Sequence, residues 1–141
     1  MDAKTLKLAT EQLGNAGKTN LQAGATEAQV SRFEKENECN LPSQYKEWLL
    51  LADGGEFFLP AGIQLYGVAH NPMIDVKDNN RPNGEYVVIG ALASGDPILC
   101  MKASEQISIF NKDAGRIESD EIYPDFLSFL NGLPEMLGLE G

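Results

Sequence analysis

Pro42 at one end and Asp53-Gly54-Gly55 at the other leave the residues between them one regular structure to adopt. Proline suits the first helical position, where its missing N–H does no harm. It also disfavours helical geometry at Leu41, so any preceding helix must stop before it. A glycine after Asp53 can take the left-handed conformation that closes a helix. Between the two stops, Tyr45, Trp48, Leu49 and Ala52 recur at three- and four-residue steps and form an apolar face. Trp48 therefore reads as a core anchor rather than a platform for a ligand. Upstream, Thr26 and Gln29 have the spacing of a capping box, in which hydroxyl and amide each satisfy a backbone N–H. The helix they open buries Val30 and Phe33 and ends near Cys39-Asn40.

The remaining chain changes character around this helical pair. Asp2 to Leu13 reads as a short helix with Leu6, Leu8 and Leu13 as apolar positions and Gly14 as its stop. Asn15 to Gly24 reads as a loop. Ile63–Ala69, Glu85–Leu92, Ile98–Lys102 and Gln106–Asn111 are rich in Ile and Val or alternate by two, which suits strands. Asp96-Pro97 marks a turn, and the short connections favour an antiparallel meander. Asn71 to Gly84 reads as a long loop, and Asn111 to Glu121 as an exposed turning segment. Tyr123 to Met136 reads as a last helix with Phe126, Leu127, Phe129 and Leu130 on its apolar face, broken near Gly132 and Pro134. The order of elements predicts an α+β fold: a single antiparallel or mixed sheet with helices packed on one face. Residues 1–24 form an N-terminal helix and loop, and residues 25–141 the main body of one compact domain.

Composition narrows the chemistry. With 141 residues, 43% of them hydrophobic, the chain can bury a core without disulfides or metal. Twenty-one acidic residues against eleven basic ones give a net charge of -10. Direct binding to nucleic acid or to an anionic membrane rests on cationic side chains, so neither is expected. Two cysteines, Cys39 and Cys100, with the single His70 cannot supply a four-ligand zinc site. His70 lies in a turn-like segment with no nucleophile close in sequence. Gly90 to Gly95 is followed by no Gly-Lys-Ser/Thr, so it is not a phosphate loop. Asp75 to Asn80 lacks the ligand spacing of a calcium loop. Carboxylates are plentiful enough for a two-carboxylate hydrolase, but nothing singles out a pair. No cofactor or metal is expected. No apolar run approaches the roughly 18 residues of a membrane span, and Met1-Asp2-Ala3-Lys4 opens no signal peptide, so a cytoplasmic location is expected.

Three stretches in order resemble one family. Leu41-Pro42-Ser43-Gln44-Tyr45-Lys46-Glu47-Trp48-Leu49-Leu50-Leu51-Ala52-Asp53-Gly54-Gly55 resembles the signature of the SMI1/KNR4, or SUKH, superfamily. Ile89-Gly90 with Gly95-Asp96-Pro97-Ile98-Leu99 resembles its central strand pair. Tyr123-Pro124-Asp125-Phe126-Leu127-Ser128-Phe129-Leu130 resembles its closing helix, with Pro124-Asp125 in place of the usual small residue. The resemblance covers about Ala25 to Leu133. It implies an α+β fold without enzymatic activity. It also implies that Pro42, Tyr45, Trp48, Gly54, Gly55, Gly90, Gly95, Asp96, Phe126, Phe129 and Leu130 are structural. Many bacterial members are immunity proteins that bind and neutralise a toxin, often a nuclease. Fungal relatives act in cell-wall regulation. Toxin-contacting residues differ among members, so none transfers.

These readings converge on a non-enzymatic protein whose partner is a basic toxin domain. A regulatory or scaffold adaptor of the same fold and a small hydrolase are the alternatives. The candidate partner-binding residues are Asp113, Glu118, Asp120 and Glu121, with Asp75 and Asp78 as a second group. Charge supports the choice: from Ala103 onward eight acidic residues face only Lys112 and Arg116. The cysteines, set among apolar neighbours, should be reduced. Intact mass spectrometry of protein isolated from cells should find two free thiols, and a Cys39–Cys100 bridge would contradict this.

Overall fold

The computed structural model describes residues 3–58, 62–69, 73–75, 84–102 and 104–136. His70 and Asp78 lie outside them. The first helix, α1 (Ala3–Ala16), is followed by β1 (Thr19–Leu21), α2 (Glu27–Glu36) and α3 (Ser43–Leu51). Six strands come next: β2 (Gly55–Phe57), β3 (Ile63–Leu65), β4 (Tyr86–Leu92), β5 (Pro97–Met101), β6 (Ile107–Asn111) and β7 (Arg116–Tyr123). The last helix is α4 (Phe126–Met136). The sheet order follows the chain from β1 to β7, and every neighbouring pair is antiparallel. The α+β meander is as expected, and the sheet is antiparallel rather than mixed. The parallel contact that does occur, Gly67 with Met73, is an isolated bridge.

The capping box forms: Gln29 N–H donates to Thr26 Oγ1 at 3.1 Å and Thr26 N–H to Gln29 Oε1 at 2.9 Å. The helix ends at Glu36, earlier than the sequence suggested. Glu38 takes φ +51°, and Cys39 N–H reaches back to the Glu34 carbonyl at 3.1 Å. This is the left-handed stop usually marked by glycine, here built on a glutamate. Pro42 sits just before the first helical residue of α3 rather than within it. At the other end Ala52 is extended, and Gly54 carries the positive φ of +88°. A side chain there would meet Gly67 N and Leu65 O at 2.8 Å. Extended Ala52 has therefore closed α3 already, and the glycine serves the turn from helix into β2 rather than the helix stop that the sequence suggested.

Several sequence expectations are corrected. Gly14 does not end α1, because Leu13, only 5% exposed, holds that turn in the core. The buried face is Leu6, Ala9 and Leu13, while Leu8 is 57% exposed. The expected loop 15–24 contains β1, which pairs with the equally unforeseen β2. The strand expected over Ile63–Ala69 stops at Leu65, since Val68 and Ala69 turn their N–H groups to the Asp53 carboxylate. Asn111 to Glu121 is not one long turn: a tight turn at 112–115 leads straight into β7. α4 runs through Gly132 and Pro134. Fully buried Leu130 and Leu133 hold it down, and Gly132 lets the Tyr123 ring approach to 3.1 Å of where a Cβ would sit.

α1, α3 and α4 pack on one another. Their apolar faces join the alternate residues Val87, Ile89, Ile98, Cys100, Ile107 and Ile109 of the sheet in one core. Its centre is aromatic. Trp48 lies 5.7 Å from Tyr45, 5.7 Å from Phe126 and 6.2 Å from Phe57, centroid to centroid. Its indole N–H donates to Thr10 Oγ1 at 3.1 Å, so the one polar atom of the ring is satisfied by α1. The Tyr45 hydroxyl donates to the Tyr66 carbonyl and joins α3 to the chain beyond β3. Gly90 faces Ile98 where a bulge shifts the β4–β5 register, and Gly95 turns the hairpin at φ +93°. Both cysteines are free and buried, and burial raises both thiols above their ordinary pKa. Replacing Trp48 by Ala should cost about 3–5 kcal/mol, as large aromatic truncations do. Urea denaturation checks this, and an unchanged midpoint would contradict it.

Candidate functional site

The acidic residues singled out in the sequence fall on two parts of the sheet. Asp113 is exposed at the tip of the β6–β7 turn. Glu118 is half-buried on β7 and pairs with Arg116, Nε to Oε1 at 3.2 Å. Asp120 has its backbone in β7, and its side chain lies outside the description. Glu121 is half-buried on the same strand. Asp75 is exposed beside β4, exchanging backbone hydrogen bonds with Val88 at 3.0 and 2.9 Å. β5 and β6 separate β4 from β7. At roughly 4.8 Å per strand, Asp75 and β7 stand about 19 Å apart. The structure therefore does not merge the two groups into one patch.

A second acidic region went unseen in the sequence. A groove of about 390 Å³ runs between α2 and α3, with Val30 and Leu50 in its floor and Glu27, Glu34 and Glu47 along it. Ser43 and Glu47 also line an adjoining hollow of about 380 Å³ with Gln44, Glu105, Pro124 and Asp125. Most of these carboxylates already serve the fold. Glu34 accepts from Leu41 N–H at 2.7 Å and pairs with Lys46 at 3.5 Å. Glu105 accepts from Ser43 N–H at 2.8 Å, the Ser43 hydroxyl at 2.9 Å and Gln44 N–H at 3.3 Å. It thus caps α3 across the fold, because Pro42 has no side-chain oxygen with which to do so. Such caps contribute about 1 kcal/mol. Nothing near Glu105 in sequence signals this, since the two ends are 62 residues apart.

Asp125 caps α4. Its Oδ1 accepts from Ser128 N–H at 2.9 Å, and its Oδ2 accepts from the Gln44 amide at 3.4 Å. Gln44 Oε1 in turn accepts from Leu127 N–H at 2.8 Å. Desolvation would raise the Asp125 carboxyl, but the hydrogen bonds from Ser128 and Gln44 outweigh it and hold the group below its ordinary value. Among the described residues no group of three or more His, Cys, Asp or Glu is placed to hold a metal ion. No described helix is long and apolar enough to cross a membrane.

Comparison with known proteins adds one finding. Residues 24–132 match the model of the SMI1 / KNR4 family (SUKH-1). The matched span runs from just before the capping box into α4 and leaves α1 outside it. No curated protein matches the chain.

The Asp125 cap makes stability depend on pH with a definite sign. A carboxylate held below its unfolded pKa stabilises the fold above that value, and the contribution is lost as pH falls through the folded value. Asp125→Asn should lower stability at pH 7 and narrow the gap to the parent at an acid pH beneath the lowered folded value, where both are neutral at this position. Parallel urea titrations at the two pH values check this. An equal gap at both would show that the carboxylate charge plays no part.

Proposed function

The chain belongs to the SMI1/KNR4 family, and we propose that it works as an immunity protein, binding a basic toxin domain and neutralising it. The observation that carries this reading is the net charge of -10 on a chain of this family. A toxin acting on nucleic acid needs a cationic cleft to hold phosphates. An acidic protein seated there blocks the cleft without any chemistry of its own. Complementary charge also speeds the encounter and disfavours wrong partners.

The surfaces available for this are the β6–β7 turn with the acidic edge of β7, and the α2–α3 groove where Glu27 and Glu47 stand. Carboxylates tied into helix caps, Glu105 and Asp125, contribute to the potential but cannot leave their hydrogen bonds without loosening α3 and α4. Asp75 forms a separate site beside β4.

The test uses the protein encoded beside this gene, as immunity genes of this kind follow their toxins. Stopped-flow association should slow about tenfold or more as ionic strength rises from about 10 to 150 mM, with a smaller change in dissociation. Reversal of Asp113 and Glu118 to Lys should slow association and abolish protection of cells carrying the toxin. Association that is indifferent to salt, or a neighbouring protein that neither binds nor poisons cells, would overturn the reading in favour of an adaptor.

A further inference from the structure

The two walls of the groove between α2 and α3 repeat one spacing. α2 lines it with Glu27, Val30, Ser31 and Glu34. α3 lines it with Ser43, Lys46, Glu47 and Leu50. Both sets advance by three, one and three residues, which sets four side chains along one helix face over two turns, about 10 Å. The helices run antiparallel. Glu34 pairs with Lys46 at 3.5 Å towards one end, and Ala25 N–H donates to the Leu49 carbonyl at 2.8 Å at the other. Two such faces side by side make a cradle of about 390 Å³.

Shape decides the form of what fits there. The backbone of both walls is spent inside helices, so an extended chain laid between them gains no main-chain hydrogen bonds. A helix satisfies its own backbone and offers side chains alone. Ser31, exposed and short midway along α2, lets such a helix come close. Val30 and half-buried Leu50 give it an apolar floor.

Charge decides its composition. The one cation that lines the groove, Lys46, is already held by Glu34. Among the described residues nothing hydrogen-bonds to or pairs with the carboxylates of Glu27 and Glu47. They stand on opposite walls, Glu27 in the first turn of α2 and Glu47 midway along α3. Glu47 also lines the hollow that reaches Pro124 and Asp125 just beyond β7, so the groove opens towards the acidic strand. A second copy of this chain would bring its own net charge of -10 and with it repulsion. Resting on the basic-partner reading above, we propose that the α2–α3 groove receives an amphipathic helix of that partner, apolar along its inner stripe and carrying lysine or arginine on both flanks. The stripe covers Val30 and Leu50, the cations meet Glu27 and Glu47, and the three helices pack as a small bundle.

The experiment uses the full chain and a capped synthetic helix of about fifteen residues, with Leu at i, i+3, i+4 and i+7 and Lys at the flanking positions. One control peptide scrambles the order so that the leucines share no face, and another replaces each Lys by Glu. Fluorescence anisotropy should show the Leu–Lys helix binding about tenfold or more tighter than the scrambled peptide, and the Leu–Glu peptide not binding. Hydrogen exchange should show new protection in α2 and α3. Two variants, each checked for an unchanged melting temperature, separate shape from charge. Ser31→Trp fills the groove, keeps every charge and should weaken binding about tenfold or more. Glu27→Gln/Glu47→Gln should weaken it several-fold. Equal binding of the scrambled peptide, or of the helix to Ser31→Trp, would overturn the groove. A dimer of this chain that Ser31→Trp dissociates would give the groove to a second copy and likewise overturn it. With the neighbouring toxin in place of the peptide, protection on β6 and β7 alone would refute the groove yet leave neutralisation standing. Absence of any complex would refute neutralisation itself.

Discussion

The Asp53 carboxylate, only 1% exposed, accepts the Val68 N–H at 2.7 Å and the Ala69 N–H at 2.9 Å. It stands at the point where α3 gives way to the sheet, two residues before β2 begins. The turn after β3 closes on it, bringing Gly67 so near that a Cβ there would fall 2.2 Å from the Asp53 carbonyl. Helical layer and sheet are thereby fixed at one place by charge-assisted bonds, the stronger class in a buried setting. Losing the carboxylate would leave two N–H groups without their acceptor, at about 1–3 kcal/mol for each that stays buried. Gly54, Tyr45 and the Tyr66 carbonyl cluster round the same corner, and the β2–β3–β4 register follows from it.

What could be read from the sequence was whatever is decided locally. The capping box needs only Thr26 and Gln29, and the start of α3 needs only Pro42, so both were legible. β7 was not. Its isoleucines, Ile117 and Ile122, are five apart, an odd spacing that breaks a two-residue alternation. The bulge opposite Ile109 absorbs the extra residues and returns both isoleucines to one face. β1 was hidden for a different reason. Thr-Asn-Leu has no pattern of its own and becomes a strand because the β2 edge is there to receive it. The end of α2 was misplaced because a glutamate does what glycine usually does.

The acidic surface was legible as a quantity but not as a map. Counting charges predicted a cationic partner. It could not predict that Glu34, Glu105 and Asp125 would be drawn into hydrogen bonds with backbone groups, Glu105 with a helix far along the chain. The net charge therefore combines two uses: carboxylates that hold helix ends and carboxylates that remain free at the surface. Only three-dimensional partners separate them, which is why Glu118 reads as a surface charge in the sequence and as an ion-paired residue on an edge strand in the fold.

The remote cap of α3 also bears on how the molecule comes apart. Ser43 and Gln44 are bound to Glu105 ahead of β6, while the Gln44 side chain spans to Asp125 and Leu127 at the start of α4. Helix ends usually fray first, since their terminal N–H groups lack partners within the helix. Here the first turn of α3 can open only if it releases the strand loop and the C-terminal helix together. The weakest part of an ordinary helix has become a joint shared by three segments, so opening it breaks bonds to all three.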